Sequence, residues 1–162
     1  MNKQTIISNL SLKPHPSEGG YFKRTYTSEI NTSCTAGERA TLSSIYYMLT
    51  DDSPVGYLHK NKSDIIHYFH SGSAINYIII HPDGRLEEKT LGNDLTLDQT
   101  PQLTVKGGCW KTCVLNTGEY GLLSEAVSPG FEYEDMELAS TALITQHFPE
   151  LLDTIKPYIC PG

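Results

Sequence analysis

GYLHKNKSDIIHYFHSG (residues 56–72) gathers His59, Asn61, His67 and His70 into one short run rich in β-branched and aromatic residues. Side chains on a strand alternate between faces, so Ile65, His67 and Phe69 share a face. Imidazoles on an otherwise apolar face suit a pocket wall better than a solvated surface. Gly72 ends the run with a turn signal.

Outward from this run the same grammar repeats. Strands are predicted at 21–27, 41–49, 64–70, 74–81, 85–91, 102–106, 109–116 and 120–127, cut by turn clusters such as TDDSP, HSGS, KGG and SPG. HPDG (81–84) is the clearest hairpin, joining 74–81 to 85–91. Many short strands at close spacing indicate an all-β sandwich or small barrel. MNKQTIISNL predicts a short N-terminal helix with Ile6, Ile7 and Leu10 on one side. STALITQHFPELLDTIKPY predicts two short C-terminal helices, with Pro149 in the first turn of the second.

The 162 residues suit one domain, a barrel over about 18–138 followed by a helical segment over about 140–158. The net charge of −7 disfavours a phosphate backbone, so nucleic acid is not an expected partner. No segment reaches the roughly 18 apolar residues of a membrane span, and the N-terminus has no signal-like apolar stretch; no membrane partner is expected, and a cytoplasmic location is. Cys34, Cys109, Cys113 and Cys160 are too scattered for a disulfide framework, and Cys109 and Cys113 are read as reduced, buried apolar residues.

Three blocks in order carry a family resemblance. They are Glu18-Gly19-Gly20-Tyr21, the run His59 to Gly72, and Val127-Ser128-Pro129-Gly130-Phe131 through Asp135-x-Glu137-Leu138. Over roughly residues 12–140 the chain resembles the cupins, and within them the small uncharacterised bacterial and fungal cupins with EGGY and V-x-PGF signatures. The resemblance implies a double-stranded β-helix, or jelly-roll barrel. It also implies places for four metal ligands, which fall on His59, Asn61, Ile65 and Lys111. Ile65 has no donor, a lysine ammonium repels a cation, and Asn61 is a poor ligand. No metal or other cofactor is therefore expected. A more distant likeness, Gly56-Tyr57-Leu58-His59, is to the metal-free sugar-nucleotide epimerase cupins, in which the corresponding histidine removes a proton next to a keto group. Their arginine before the glycine is Val55 here, and no acid partner of His59 stands out.

The expected site is an apolar cavity for a small polar or anionic ligand, with a sugar derivative among the candidates. His59 is the candidate acid–base group and Lys111 the candidate anion contact; Asn61, His67, Phe69, Gln102 and Glu125 are the candidate ligand-binding residues. Each has a plainer reading. His59 can be a satisfied structural histidine, and Lys111 needs a counter-charge, a ligand or an exit to water. Glu125 shares a face with Leu123 and Val127, so it is either an edge residue or a partner inside the cavity. His15 is expected to order the loop before the first strand, His70 and His81 to be at the surface, Trp110 to pack outside the barrel, and EGGY to serve the fold alone. Tyrosines at 46, 47, 57, 68 and 77 suit a pocket wall or the interface of a homodimer. Three functions stay open: a metal-independent epimerase or isomerase, a binding protein without chemistry, and a metal-dependent oxygenase or isomerase using His59 and His67.

Overall fold

The structure, a computed structural model, describes residues 2–161. Helix α1 (Lys3–Leu10) precedes β1 (Lys13–Pro14), β2 (Tyr21–Thr27), the pair β3 (Asn31–Cys34) and β4 (Gly37–Ala40), and β5 (Ser43–Thr50). Then follow β6 (Val55–Asn61), β7 (Asp64–Gly72), β8 (Ile75–Ile80), β9 (Leu86–Leu91), β10 (Gln102–Val105), β11 (Trp110–Val114), β12 (Tyr120–Ser128) and β13 (Met136–Leu138). Helices α2 (Thr141–His147) and α3 (Leu152–Ile155), with short 3-10 turns around them, complete the chain.

The strands form two antiparallel sheets, ordered β1-β2-β5-β12-β7-β10 and β13-β6-β11-β8-β9, with β3-β4 as a separate hairpin. This is the double-stranded β-helix that the resemblance implies. Inward-facing residues of both sheets, among them Tyr47, Leu49, Ile75, Tyr77, Leu103, Val105, Cys113 and Leu123, make the central core. Each large apolar side chain so buried contributes about 1.5–3 kcal/mol. The outer faces are covered too. On the first sheet α1 lays Ile6 against Met48 and Leu122. On the second, Leu58, Ile80 and Trp110 pack against Ala139, Ile144 and Ile155 of the C-terminal segment. Trp110 thus lies outside the barrel, as expected from its parity, and Pro149 does start a helical turn.

The differences from expectation are local. The run 56–72 is two strands, broken at Lys62–Ser63, because the chain turns there to change sheets. The strands β1, β6 and β13 and the hairpin β3-β4 have no counterpart among the predicted strands; all but β6 are four residues or fewer, and β6 carries Gly, His, Lys and Asn among its apolar residues. The HPDG turn is as expected, with Gly84 at φ +85 and Ile80 paired to Leu86.

Candidate functional site

Register brings the polar interior together. On one sheet His59 of β6 stands opposite Lys111 of β11. On the other, Glu125 of β12 stands opposite His67 of β7. All four are largely shielded from solvent: His59 and Lys111 are 4% exposed, His67 is 0%, and the Glu125 side chain is 12%. Glu125 is therefore a partner inside the barrel and not an edge residue.

Hydrogen-bond chemistry fixes the protons of the rear group. Lys111 Nζ lies 3.4 Å from His67 Nε2, and an ammonium only donates, so Nε2 accepts. The proton of neutral His67 is then on Nδ1, which is 3.2 Å from Glu125 Oε1 and 3.2 Å from the Tyr77 hydroxyl. Lys111 Nζ is also 3.5 Å from Glu125 Oε1. Burial and the Lys111 charge bring the His67 pKa down to about 4, so the ring is neutral at pH 7. Burial pushes the Glu125 carboxyl upward, but Lys111 and His67 outweigh it and leave it below the usual carboxylate range. Lys111 has its counter-charge.

At the front, the backbone carbonyl of Tyr57 lies 2.7 Å from His59 Nδ1. A carbonyl only accepts, so Nδ1 carries the proton and Nε2 presents a lone pair. Burial, then the Lys111 charge, lowers the His59 pKa to about 3. Facing this lone pair at 3.5 Å is Glu18 Oε2. Burial raises the Glu18 pKa, which favours a protonated carboxyl there. His15 completes the set. Its Nδ1 accepts from the Ser17 and Glu18 amides at 3.3 and 2.9 Å, so its Nε2–H points toward Glu18 Oε1, 3.9 Å away.

Glu18 was missed as a site residue because EGGY has a sufficient structural account. That account is also correct. Gly19 and Gly20 adopt φ +79 and +68, and a Cβ on Gly19 would sit 2.3 Å from the Val55 carbonyl. The Tyr57 amide donates to the Glu18 carbonyl at 2.7 Å, and the Tyr47 hydroxyl to the Gly19 carbonyl at 2.9 Å. This close crossing against β6 is what carries the Glu18 carboxyl to His59. His15 does order its loop, as expected, but it also lines the site.

The groups open into one cleft, walled by Phe22, Ile45, Ile65, Val127 and Phe131, with Glu18, His59, Asn61 and Glu125 as its inner polar groups and Arg24 on its rim. Its cavity volume is about 30 Å³, room for one or two waters, within a space of about 440 Å³ that includes the open mouth. Asn61 is 7% exposed and its Oδ1 has no hydrogen-bond partner. Four of the expected site residues do not line this cleft. His67 is fully buried, with both ring nitrogens engaged by protein groups. Gln102 is exposed on the edge strand β10 and lies away from this cleft, because Leu103 and Val105 take the inward parity. Phe69 packs on the central core and not on the cleft. Lys111 does not line the cleft; its ammonium is held behind Glu125, so it acts there through its field and not as a contact. His70 is exposed as expected, whereas His81 is half-buried, 2.7 Å from Glu87. Cys109 and Cys113 are free and buried.

The donor set does not suit a metal. Of the four places, Ile65 offers no atom, Lys111 brings a cation, and Asn61 offers one neutral oxygen. His67 cannot replace them while Lys111 and Glu125 occupy both its ring nitrogens.

Among known proteins, the family model described as "Cupin superfamily (DUF985)" matches residues 4–139. The uncharacterized protein YML079W of Saccharomyces cerevisiae is 38% identical over 149 residues, covering 82% of this chain and 72% of its own. A hypothetical protein from Leishmania major superposes with a TM-score of 0.92 at 27% identity, covering 98% of this chain and 99% of that one. Protein SO0799 from Shewanella oneidensis superposes with a TM-score of 0.90 at 31% identity, covering 100% and 99%. With the two-sheet barrel, the three signature blocks and a family match over most of its length, the chain belongs to the cupin superfamily, in the DUF985 family.

Proposed function

We propose that this cupin binds a small polar or anionic molecule in the cleft without a metal and moves a proton on it, next to a carbonyl group. The observation that carries the reading is the facing of the His59 Nε2 lone pair and the Glu18 carboxyl, 3.5 Å apart in a shielded, largely apolar cleft. A neutral imidazole and a carboxyl that burial disposes toward its protonated form are the two halves of an enolisation. His59 takes the proton from carbon, and the C–H electron pair becomes the carbon–carbon double bond of the enol. Glu18 gives its proton to the carbonyl oxygen. The imidazolium then returns its proton to the neighbouring carbon while Glu18 takes up the proton of a hydroxyl on the carbon first deprotonated, which yields an isomer and restores both groups. An epimer requires a solvent proton on the opposite face of the same carbon, the imidazolium releasing its own proton to water and the enol returning its proton to Glu18. No co-reactant is consumed by either route.

The rest of the site supports these two. The Tyr57 carbonyl fixes the ring tautomer, and the buried Lys111 charge disfavours a resting imidazolium. The test is solvent-deuterium incorporation, followed by NMR, into small keto and hydroxy acids and sugar phosphates incubated with the protein in D2O and EDTA. Exchange with the wild type, lost in His59→Gln and strongly reduced in Glu18→Gln with the fold intact, is expected. Exchange that persists in His59→Gln, or that EDTA abolishes, sinks the proposal.

A further inference from the structure

Hydrogen-bonding polarity in the cleft is lopsided. Besides the Glu18 carboxyl that faces His59 Nε2, its inner end holds acceptors: the unpartnered Asn61 Oδ1 and the Glu125 carboxylate, whose protein contacts both fall on Oε1. The rim holds a cation. Arg24 donates from Nη2 to the Phe131 carbonyl at 3.2 Å and lies 5.7 Å over the Phe131 ring, contacts that leave guanidinium N–H groups free. Phe131 and Tyr133 meet edge to face at 5.2 Å beside it, and Tyr133 is half exposed.

We infer that the ligand is a small hydroxylated anion bound in one orientation, its hydroxyl groups inward on Asn61 and Glu125 and its anionic group outward on Arg24. The inference rests on the proton-transfer reading above for the placement of the ligand beside His59, but its evidence is separate. A buried acceptor without a partner costs about 1–3 kcal/mol, which a ligand hydroxyl would relieve. The opposite orientation sets an anion against the Glu125 carboxylate. A cationic ligand would meet Arg24 at the rim and, inside, a carboxylate already paired with Lys111. A purely apolar ligand would leave Asn61 as it is. Guanidinium pairs well with carboxylate or phosphate, so either anionic group meets the requirement.

Matched probes separate the two ends. Glycerate, propionate and glycerol, and gluconate, hexanoate and sorbitol, form sets in which only hydroxyls or charge change. Their dissociation constants for the full chain, measured by calorimetry, should favour the hydroxylated anion by about tenfold or more over both counterparts in at least one set. Arg24→Ala should erase the advantage over the neutral polyol, and Asn61→Leu the advantage over the deoxygenated acid. If no hydroxylated anion binds more tightly than its counterparts, or the preferences ignore Arg24 and Asn61, the inference is overturned. If the preferences hold but no deuterium exchange occurs, the proton-transfer reading fails alone. Exchange on a ligand indifferent to Arg24 and Asn61 leaves proton transfer standing and removes the oriented anion.

Discussion

Lys111→Met tests the rear of the site most directly. Lys111 Nζ and Glu125 Oε1 are 3.5 Å apart, with side-chain exposures of 5% and 12%. At an effective dielectric of 20 their attraction is about 5 kcal/mol. Removing the lysine leaves a buried carboxylate with only a neutral imidazole donor, and breaking such a pair costs about 3–5 kcal/mol. For a domain of this size that lowers Tm by roughly 6–20 °C. In the wild type the folded-state pKa of Glu125 lies below its ordinary value, so its contribution is present above that value and is lost as pH falls through the folded one. In Lys111→Met burial acts on Glu125 without its main counter-charge and raises its pKa, so the deficit should shrink as pH falls from 7 toward 5. Adding Glu125→Gln should recover all but about 2 kcal/mol at pH 7, since a neutral pair has no stranded charge. Urea melts of both single variants and the double variant, across pH 5–8, give the coupling. A Lys111→Met cost under about 1 kcal/mol, or one that Glu125→Gln leaves unchanged, would refute the buried-charge account.

Two further outcomes follow from the same structure. His59 and His67, with folded-state pKa values of about 3 and about 4, are held neutral, whereas the unfolded chain protonates them near 6.5. Their stabilisation is complete above 6.5 and is lost as pH falls toward 4, so urea midpoints should decline through that window and His67→Gln should flatten the slope; a level midpoint from pH 7 to 4.5 contradicts this. Gly19→Ala places a Cβ 2.3 Å from the Val55 carbonyl at φ +79, and should cost at least about 1–3 kcal/mol while reducing deuterium exchange by displacing Glu18. A variant as stable and active as the wild type would mean that the crossing does not position the carboxyl.

Much of this was legible from alternation. The inward parity of Ile65 and His67, of Lys111 and Cys113, and of Leu123, Glu125 and Val127 is the observed one, because a half-buried strand has little freedom in which face it buries. Parity does not report depth or distance across a barrel. Phe69 lies beside a register shift, where Leu123 pairs with Phe69 and Leu122 with Ser71, and it packs away from the cleft. Gln102 would have been excluded by reading Leu103 and Val105 as its strand's inward pair. Glu18 had no periodic signal at all. It lies in a loop, and its partner is reached only because two left-handed glycines allow the backbone to press against β6.

The substitutions at the family's metal places make sense together. A cupin metal supplies a fixed positive charge at the centre of the barrel. Here a positive charge is kept near that place as the Lys111 ammonium, neutralised by Glu125 and oriented by His67. Because Lys111 and Glu125 pair with each other, the charge holds the interior polar groups in place and does not polarise a ligand directly. Ile65 then serves as apolar wall, and Asn61 is freed from any ligand role to face the cleft unpartnered. The acid–base work passes to His59 and to a carboxyl delivered from outside the barrel strands. A metal restored at this site would therefore need donors at 61, 65 and 111 beside His59, and would also have to take over the lysine's pairing with Glu125 and its hold on the His67 ring. Lys111→His with Ile65→Glu should therefore not recover metal binding while Glu125 and His67 stand unchanged, and stoichiometric metal in that purified variant would contradict the account of the lysine as the organiser of the interior.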